Sequence, residues 1–194
     1  MAIIQSHATT LSQNFGNQKL KLVPMTDEHL PILYEWNQMS DVLYWNDTEA
    51  DETTVSSPAS VDSIYGSVSK SAYMFIITLD DIPIGDCWLQ DLNYDELIAK
   101  HPNKNAKRID LTIFDKSLWG KGLGTAIFSM LLEFGFVQLN VDLIYGIIGD
   151  YNVRSQKCAI KCGLELDEIL EHDETPKGKA EYCYLITKEM YIGG

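Results

Sequence analysis

The chain has 194 residues, with 15 Lys and Arg against 28 Asp and Glu, for a formal charge of −13. Apolar residues make up 45% and charged residues 22%, a globular composition that excludes a disordered or collagen-like chain. The length suits one ordinary domain, and the acidity excludes a dedicated nucleic-acid binder or an anionic membrane surface while leaving room for a cationic small molecule. The acid is regional. Asp41 to Tyr65 holds six acids, Leu164 to Thr175 six more, and neither stretch has a Lys or Arg; the other 157 residues carry 16 acids and 15 bases. The four cysteines do not have the spacing of a secreted disulfide framework, the N-terminus lacks a signal-peptide pattern, and no stretch is apolar enough to span a bilayer. A cytoplasmic, reducing location is expected, with no metal site.

In chain order, residues 1–17 read as a loose arm or a weak edge strand. Lys19 to Val23 alternates as a strand and stops at Pro24. Thr26 offers a helix cap, and Leu30, Leu33, Tyr34 and Asn37 follow at helical spacing. Ser40 to Ser60 reads as an acidic loop with short helical turns, and Val61 to Lys70 as a second helix. Tyr73–Leu79 and Ile82–Leu92 form a hairpin around Asp80-Asp81. Asn93 to Lys107 reads as a polar connection. In Arg108 to Phe114, Ile109, Leu111 and Ile113 share one face, and Arg108, Asp110, Thr112 and Phe114 the other. A glycine-rich loop, an apolar helix to about Leu139, a strand over Leu143–Ile148, a helix over Asn152–Cys162 and a last strand over Glu181–Tyr191 complete the pattern, with room for one more strand before the second acidic stretch, which reads as a loop. The order predicts an α/β (α+β) class: a mixed, mostly antiparallel sheet flanked by helices.

Strand, Gly120-Lys121-Gly122-Leu123-Gly124-Thr125, then helix is the main chemical signal. Glycines permit a tight turn and close approach, and the unpaired amides and positive dipole of a helix start suit an anion. A bare glycine-rich turn before a buried helix is the alternative. A Walker loop fails because Gly122 follows Lys121, and a dinucleotide fingerprint fails because Ala126 leaves its third glycine doubtful.

Leu118 to Thr125 resembles the acetyl-CoA pyrophosphate loop of the GNAT N-acetyltransferases, with Trp119 where Gln or Arg is usual, as in the ribosomal-protein-type branch. Asn152-Val153-Arg154-Ser155, then Cys162-Gly163-Leu164, resembles the family's second cofactor motif. The resemblance implies a GNAT-like fold over 19–194, preceded by an arm over 1–18. It implies acetyl-CoA as cofactor, held by the backbone of Leu111, Thr112 and Ile113, by Trp119, Gly120, Lys121, Gly122, Leu123, Gly124 and Thr125, and by Asn152, Ser155 and Lys157. Arg154, Lys157 and Lys161 share one helical face, either facing phosphates or simply solvated.

A narrower resemblance is to aminoglycoside 6'-N-acetyltransferases, through Leu33-Tyr34-Glu35-Trp36, Tyr44-Trp45 and Ile109-Asp110. Two positions depart from it: Ile147 stands where those enzymes often carry a substrate-side Asp, and Ala159 where many GNAT enzymes carry a Tyr acid. In such enzymes the amine attacks the thioester directly, so it must first lose a proton. Asp110 is the candidate base and acceptor contact, or else a strand carboxylate paired with Arg108 or Lys107. Ser155 is a candidate proton donor to the departing thiolate, with Tyr182 and Tyr184 as packing residues or donors. Trp36, Tyr44 and Trp45 offer flat cation-π surface, and Glu171, Asp173 and Glu174 offer charge, to an amine acceptor. Both acidic stretches are expected on the acceptor side, and the basic run Lys100 to Lys121 on the cofactor side. The readings left open are a small cationic acceptor (aminoglycoside-like or polyamine), a protein N-terminus or lysine, and a low-turnover acyl-CoA-binding protein, as a monomer or a homodimer.

Overall fold

The computed structural model describes residues 2–46, 50–172 and 177–193. Eight strands form one sheet: β1 (Leu11–Phe15), β2 (Gln18–Pro24), β3 (Ala72–Leu79), β4 (Ile82–Asp91), β5 (Ala106–Ile113), β6 (Leu143–Gly149), β7 (Glu165–Glu171) and β8 (Ala180–Thr187). The spatial order is β1-β2-β3-β4-β5-β6-β8-β7. Every pair is antiparallel except β5 with β6. Among the described residues the α-helices are α1 (Leu30–Trp36), α2 (Ser40–Leu43), α3 (Pro58–Val68), α4 (Asp95–Lys100), α5 (Leu123–Glu133), α6 (Val153–Lys161) and α7 (Lys188–Gly193). The expected mixed, mostly antiparallel sheet with helices on its faces is the architecture found.

The alternation of β5 divides the molecule. Ile109 joins the core that packs α5 and α6 on one face, with Leu111 and Ile113 against it. Phe114 joins the core under α1 and α3 on the other. A smaller core gathers Leu97 of α4 with Leu143, Tyr145 and Leu185. Asp80 and Asp81 carry the positive φ of 50° and 66° that a two-residue hairpin turn demands.

One sequence expectation is resolved and three change. Of the two readings for the first 17 residues, Leu11 to Phe15 is the edge strand: Leu11 is buried, and β1 pairs with β2. The polar connection contains α4, which needs only Leu97 as an anchor. The last strand ends at Thr187 and the chain continues as α7. Most of the second acidic stretch is β7, an edge strand whose pairing skips Asp167 between Leu166 and Glu168. That bulge breaks the alternation that marks a strand in sequence. Among the described residues no helix is long and apolar enough to cross a membrane.

Candidate active site

The parallel pairing of β5 with β6 stops after Ile109–Gly146. Beyond it β6 stays with β8 while β5 stays with β4, so the two strands diverge. The wedge opens into a groove of about 290 Å³ lined by Leu111, Thr112 and Ile113 of β5. Among the described residues its backbone edge there has no neighbouring strand, which leaves it, apart from Ile113 O, available to an extended polar chain.

The glycine loop closes one end. Gly120 and Gly122 have φ of +75° and +87°, a region glycine enters without strain. Gly122 caps α5, and Ala126 is the first amide to bond back, to Gly122 O at 3.1 Å. The amides of Leu123, Gly124 and Thr125 therefore have no helical acceptor and sit at the positive end of the dipole. Trp119 Nε1 donates to Ile113 O at 2.8 Å and fastens the loop to β5.

The start of α6 forms the facing wall. Asn152 accepts from the Ser155 amide at 3.2 Å and donates to Trp45 O at 3.0 Å. Arg154, Lys157 and Lys161 all line the groove. The guanidinium of Arg154 lies between two indoles, 4.4 Å from the Trp45 ring centre and 4.2 Å from that of Trp119. Unpaired amides, three cations and an open strand edge fit a long polyanionic cofactor such as acetyl-CoA: phosphates at α5 and α6, an amide-bearing arm along β5.

Most expected cofactor residues meet here: Leu111, Thr112, Ile113, Trp119, Gly120, Gly122, Leu123, Gly124, Thr125, Asn152, Ser155 and Lys157. Lys121 is exposed and is not in the lining. The basic run is corrected too. Lys100 pairs with Asp167 and Glu168, Lys104 with Asp142, Lys107 with Asp91 and Lys116 with Asp41. The groove takes its charge from α6 instead.

The acceptor residues fare less evenly. Trp45 lines the groove. Trp36 does not: it is 8% exposed and stacks on Phe114 in the core. The ring of Tyr44 is covered by Lys177 Nζ at 3.9 Å, as Trp45 is by Arg154. The flat surfaces expected to receive an acceptor cation thus already hold cations of the chain itself. Glu171 is exposed on β7 outside the lining, and Asp173 and Glu174 lie outside the described residues. Asp167 and Glu168 are spent on Lys100, and Asp167 also accepts from Tyr145 Oη at 2.7 Å. Among the described residues, the second acidic stretch is therefore not a lining of the groove. Tyr184 is buried in the core, where desolvation raises its hydroxyl pKa.

Asp110 is engaged on both oxygens. Arg108 Nε donates at 2.8 Å to Oδ2, Arg108 Nη2 to Oδ1, and Trp88 Nε1 to Oδ2 at 2.9 Å. The pairing with Arg108 weighed from sequence is present. Beside this pair, on β4, lies a carboxylate that the motifs did not reveal. Asp86 is 1% exposed and accepts from Tyr65 Oη at 2.7 Å. Asn46, also missed, donates to Thr112 Oγ1 at 2.8 Å on the groove wall. The one sequence signal for Asp86 is an acid inside the otherwise apolar run Ile84 to Leu89.

A family model described as acetyltransferase (GNAT) domain matches residues 19–165. The chain is 26% identical to the aminoglycoside N(6')-acetyltransferase type 1 of Klebsiella pneumoniae over 169 residues, 86% of this chain and 83% of that protein. It is similar to the structure of AAC(6')-Ib in complex with ribostamycin and coenzyme A, with a TM-score of 0.73 and 27% identity, over 91% of this chain and 97% of that one. The structure of Mycobacterium smegmatis RimJ in complex with CoA-disulfide has a TM-score of 0.75 over 94% of this chain and 88% of that one; at 17% identity it is a likeness of fold.

Proposed function

The chain belongs to the GNAT acetyltransferase family, and from that premise we propose that it transfers the acetyl group of acetyl-CoA to a primary amine of a small cationic acceptor, aminoglycoside-like or a polyamine. The observation that carries the donor half is the joining of three features in one groove: the free edge of β5, the unpaired amides of α5 and the cations of α6. The acceptor half rests on the 26–27% identity to aminoglycoside acetyltransferases over most of both chains.

Acetyl-CoA supplies an activated thioester. The residues of this chain supply position and charge. Leu111 to Ile113 hold the arm of the cofactor beside the acceptor, which removes much of the entropic barrier to a reaction between two bound molecules. The Leu123, Gly124 and Thr125 amides, with Arg154, Lys157 and Lys161, neutralise phosphate. The acceptor nitrogen forms the new C–N bond as the C–S bond breaks, and the departing sulfur takes a proton, for which Ser155 on the groove wall is the donor. Asp110, outside the groove lining but two residues from Thr112 on the same face of β5, draws the acceptor's ammonium.

The test is thiol release from acetyl-CoA with a panel of aminoglycosides, spermidine and short peptides. Turnover with the small polycations and not with peptides is expected. Turnover confined to peptides would replace this reading with the ribosomal-protein-type alternative that Trp119 favours. Coenzyme A binding with no turnover on any amine would leave an acyl-CoA-binding protein.

A further inference from the structure

Asp86 has no part in the chemistry above, and its placement is costly. It lies in the middle of β4, fully enclosed, and none of the ion pairs among the described residues includes it. A buried carboxylate kept for structure is normally matched by a cation. The groups that face it are of another kind. From α3, Tyr65 Oη donates to it, and Asn37 at the end of α1 donates to Tyr65 Oη at 3.4 Å. From β5, Thr112 stands directly opposite, and Asp110 with its partner Arg108 is the next pair along on the same face. From its own strand, Trp88 sets its ring edge against Tyr65 and gives its indole N–H to Asp110. Ile76 of β3 is its other cross-strand neighbour.

Two carboxylates thus sit on neighbouring strands in opposite circumstances. Asp110 is gripped by a guanidinium and an indole. Asp86 has one phenol and no cation. Such divergence divides roles between a pair of acids. We propose that Asp86 holds the proton released when the acceptor's ammonium becomes the attacking amine, while Asp110, paired with Arg108, binds that ammonium. The inference rests on the amine-acceptor reading above.

The balance is simple. One N–H bond of the ammonium breaks, its electron pair stays on nitrogen and forms the C–N bond, and the proton ends on a carboxylate oxygen of Asp86, which becomes neutral. The proton returns to solvent between turnovers. Asp86 does not touch the groove, so the transfer crosses Thr112. Residues directly opposed on antiparallel strands have Cβ atoms roughly 5 Å apart, a gap that a hydroxyl or one water spans. Asp86 is in this sense a proton-holding, positioning residue. Its titration suits that role, because burial pushes its carboxyl up to about 7, against the opposing Tyr65 hydrogen bond and with the Asp110 charge adding to the rise. A group half-ionised near neutrality both takes and returns a proton.

The experiment measures kcat/KM for an aminoglycoside from about pH 5.5 to 9 at saturating acetyl-CoA, beside carboxyl 13C NMR of aspartate-labelled protein. The expected wild-type profile has a limb near 7, matched by one carboxyl resonance that titrates with it. Asp86→Asn removes both and lowers kcat about 100-fold, while acetyl-CoA affinity stays within about two-fold. Asp86→Glu restores the limb, and Tyr65→Phe moves limb and resonance upward together. A limb retained in Asp86→Asn, or one lost in Asp110→Asn alone, overturns the proposal. So does the absence of a carboxyl titrating near 7. Should Asp86→Asn not fold, Tyr65→Phe decides: an unmoved resonance overturns the assignment. If the wild type acetylates no amine, the acceptor reading fails by itself, and the resonance still reports whether Asp86 takes up a proton.

Discussion

The groove proposed for the cofactor and the cluster around Asp86 and Asp110 proposed to serve the acceptor, here the floor, share β5, yet they are built in different ways. The groove uses the strand's free edge and draws its other walls from the elements that follow at once, the glycine loop with α5 and then α6. Its working groups are largely backbone amides and surface cations. The floor uses the strand's opposite face and collects Asn37, Tyr65, Asp86, Trp88 and Asp110 from α1 to β5. Its working groups are buried side chains that meet through strand pairing. A site made of backbone and local motif binds a constant cofactor. A site made of distant side chains is free to vary with the acceptor.

The strongest way to test that division is the stability of the floor. Asp86 has a folded pKa of about 7 against an ordinary value of 3.8. The folded state therefore binds more protons than the unfolded state between those values, and stability falls as pH rises from about 4 through 7, then levels off. The span corresponds to at most about 4 kcal/mol. Asp86→Asn should erase that slope in urea unfolding measured across the range. A slope that survives would mean that other groups carry it and that Asp86 titrates in the folded protein as it does in the unfolded chain.

The groove should respond through affinity. Gly122 has φ of +87°, where a β-branched side chain is strained by about 1–3 kcal/mol. Gly122→Val should weaken coenzyme A binding by roughly 100-fold, by turning the α5 amides away from their ligand, with the floor's pH dependence intact. Calorimetry reads the first and urea unfolding the second. Smaller effects separate the two sets of cations. Lys157→Ala and Lys161→Ala should each cost roughly two- to five-fold in coenzyme A affinity at low salt and less at high salt. Lys104→Ala and Lys107→Ala, whose partners are Asp142 and Asp91, should leave it unchanged.

The same contrast explains what the sequence made legible. The strands from Lys19 to Ile148 and the helices α5 and α6 were readable because each has its own period, and the cofactor residues because Gly120 to Thr125 and Asn152 to Ser155 are contiguous. The end of the apolar helix was less so. The helix repeat stops at Glu133 and a π turn carries Phe134–Gln138, a change of hydrogen-bond pattern that leaves the apolar run unbroken. Trp36 looked like an acceptor aromatic because nothing local distinguishes a ring that stacks on Phe114 from one that meets a ligand. Charge runs misled for the same reason. Lys100 finds its partners at Asp167 and Glu168, far along the chain, and the pairing cancels both the basic and the acidic signal. Asp86 was legible only as an anomaly, an acid in a buried strand, whose meaning depends on Tyr65 and Thr112.

Two contacts tie the cofactor wall to the segment after α2. Arg154 belongs to the cofactor wall, but one of the two indoles that sandwich it, Trp45, comes from the segment after α2. Asn152 holds the carbonyl of the same residue. Replacing Trp45 with Leu uncovers one face of the guanidinium and leaves that backbone bond in place. A partly exposed cation-π contact contributes about 0.5–1 kcal/mol. If groove and floor were independent, the change would only uncover Arg154 and leave the KM of the acceptor unaltered. With Arg154 loosened, coenzyme A should also bind about two- to five-fold more weakly, and by linkage the acceptor should regain less affinity when coenzyme A is present. Titrating coenzyme A with and without an aminoglycoside, in wild type and Trp45→Leu, measures that coupling directly. A coupling unchanged by the substitution would place the seam between the two regions at Asn152 rather than at the stacked guanidinium.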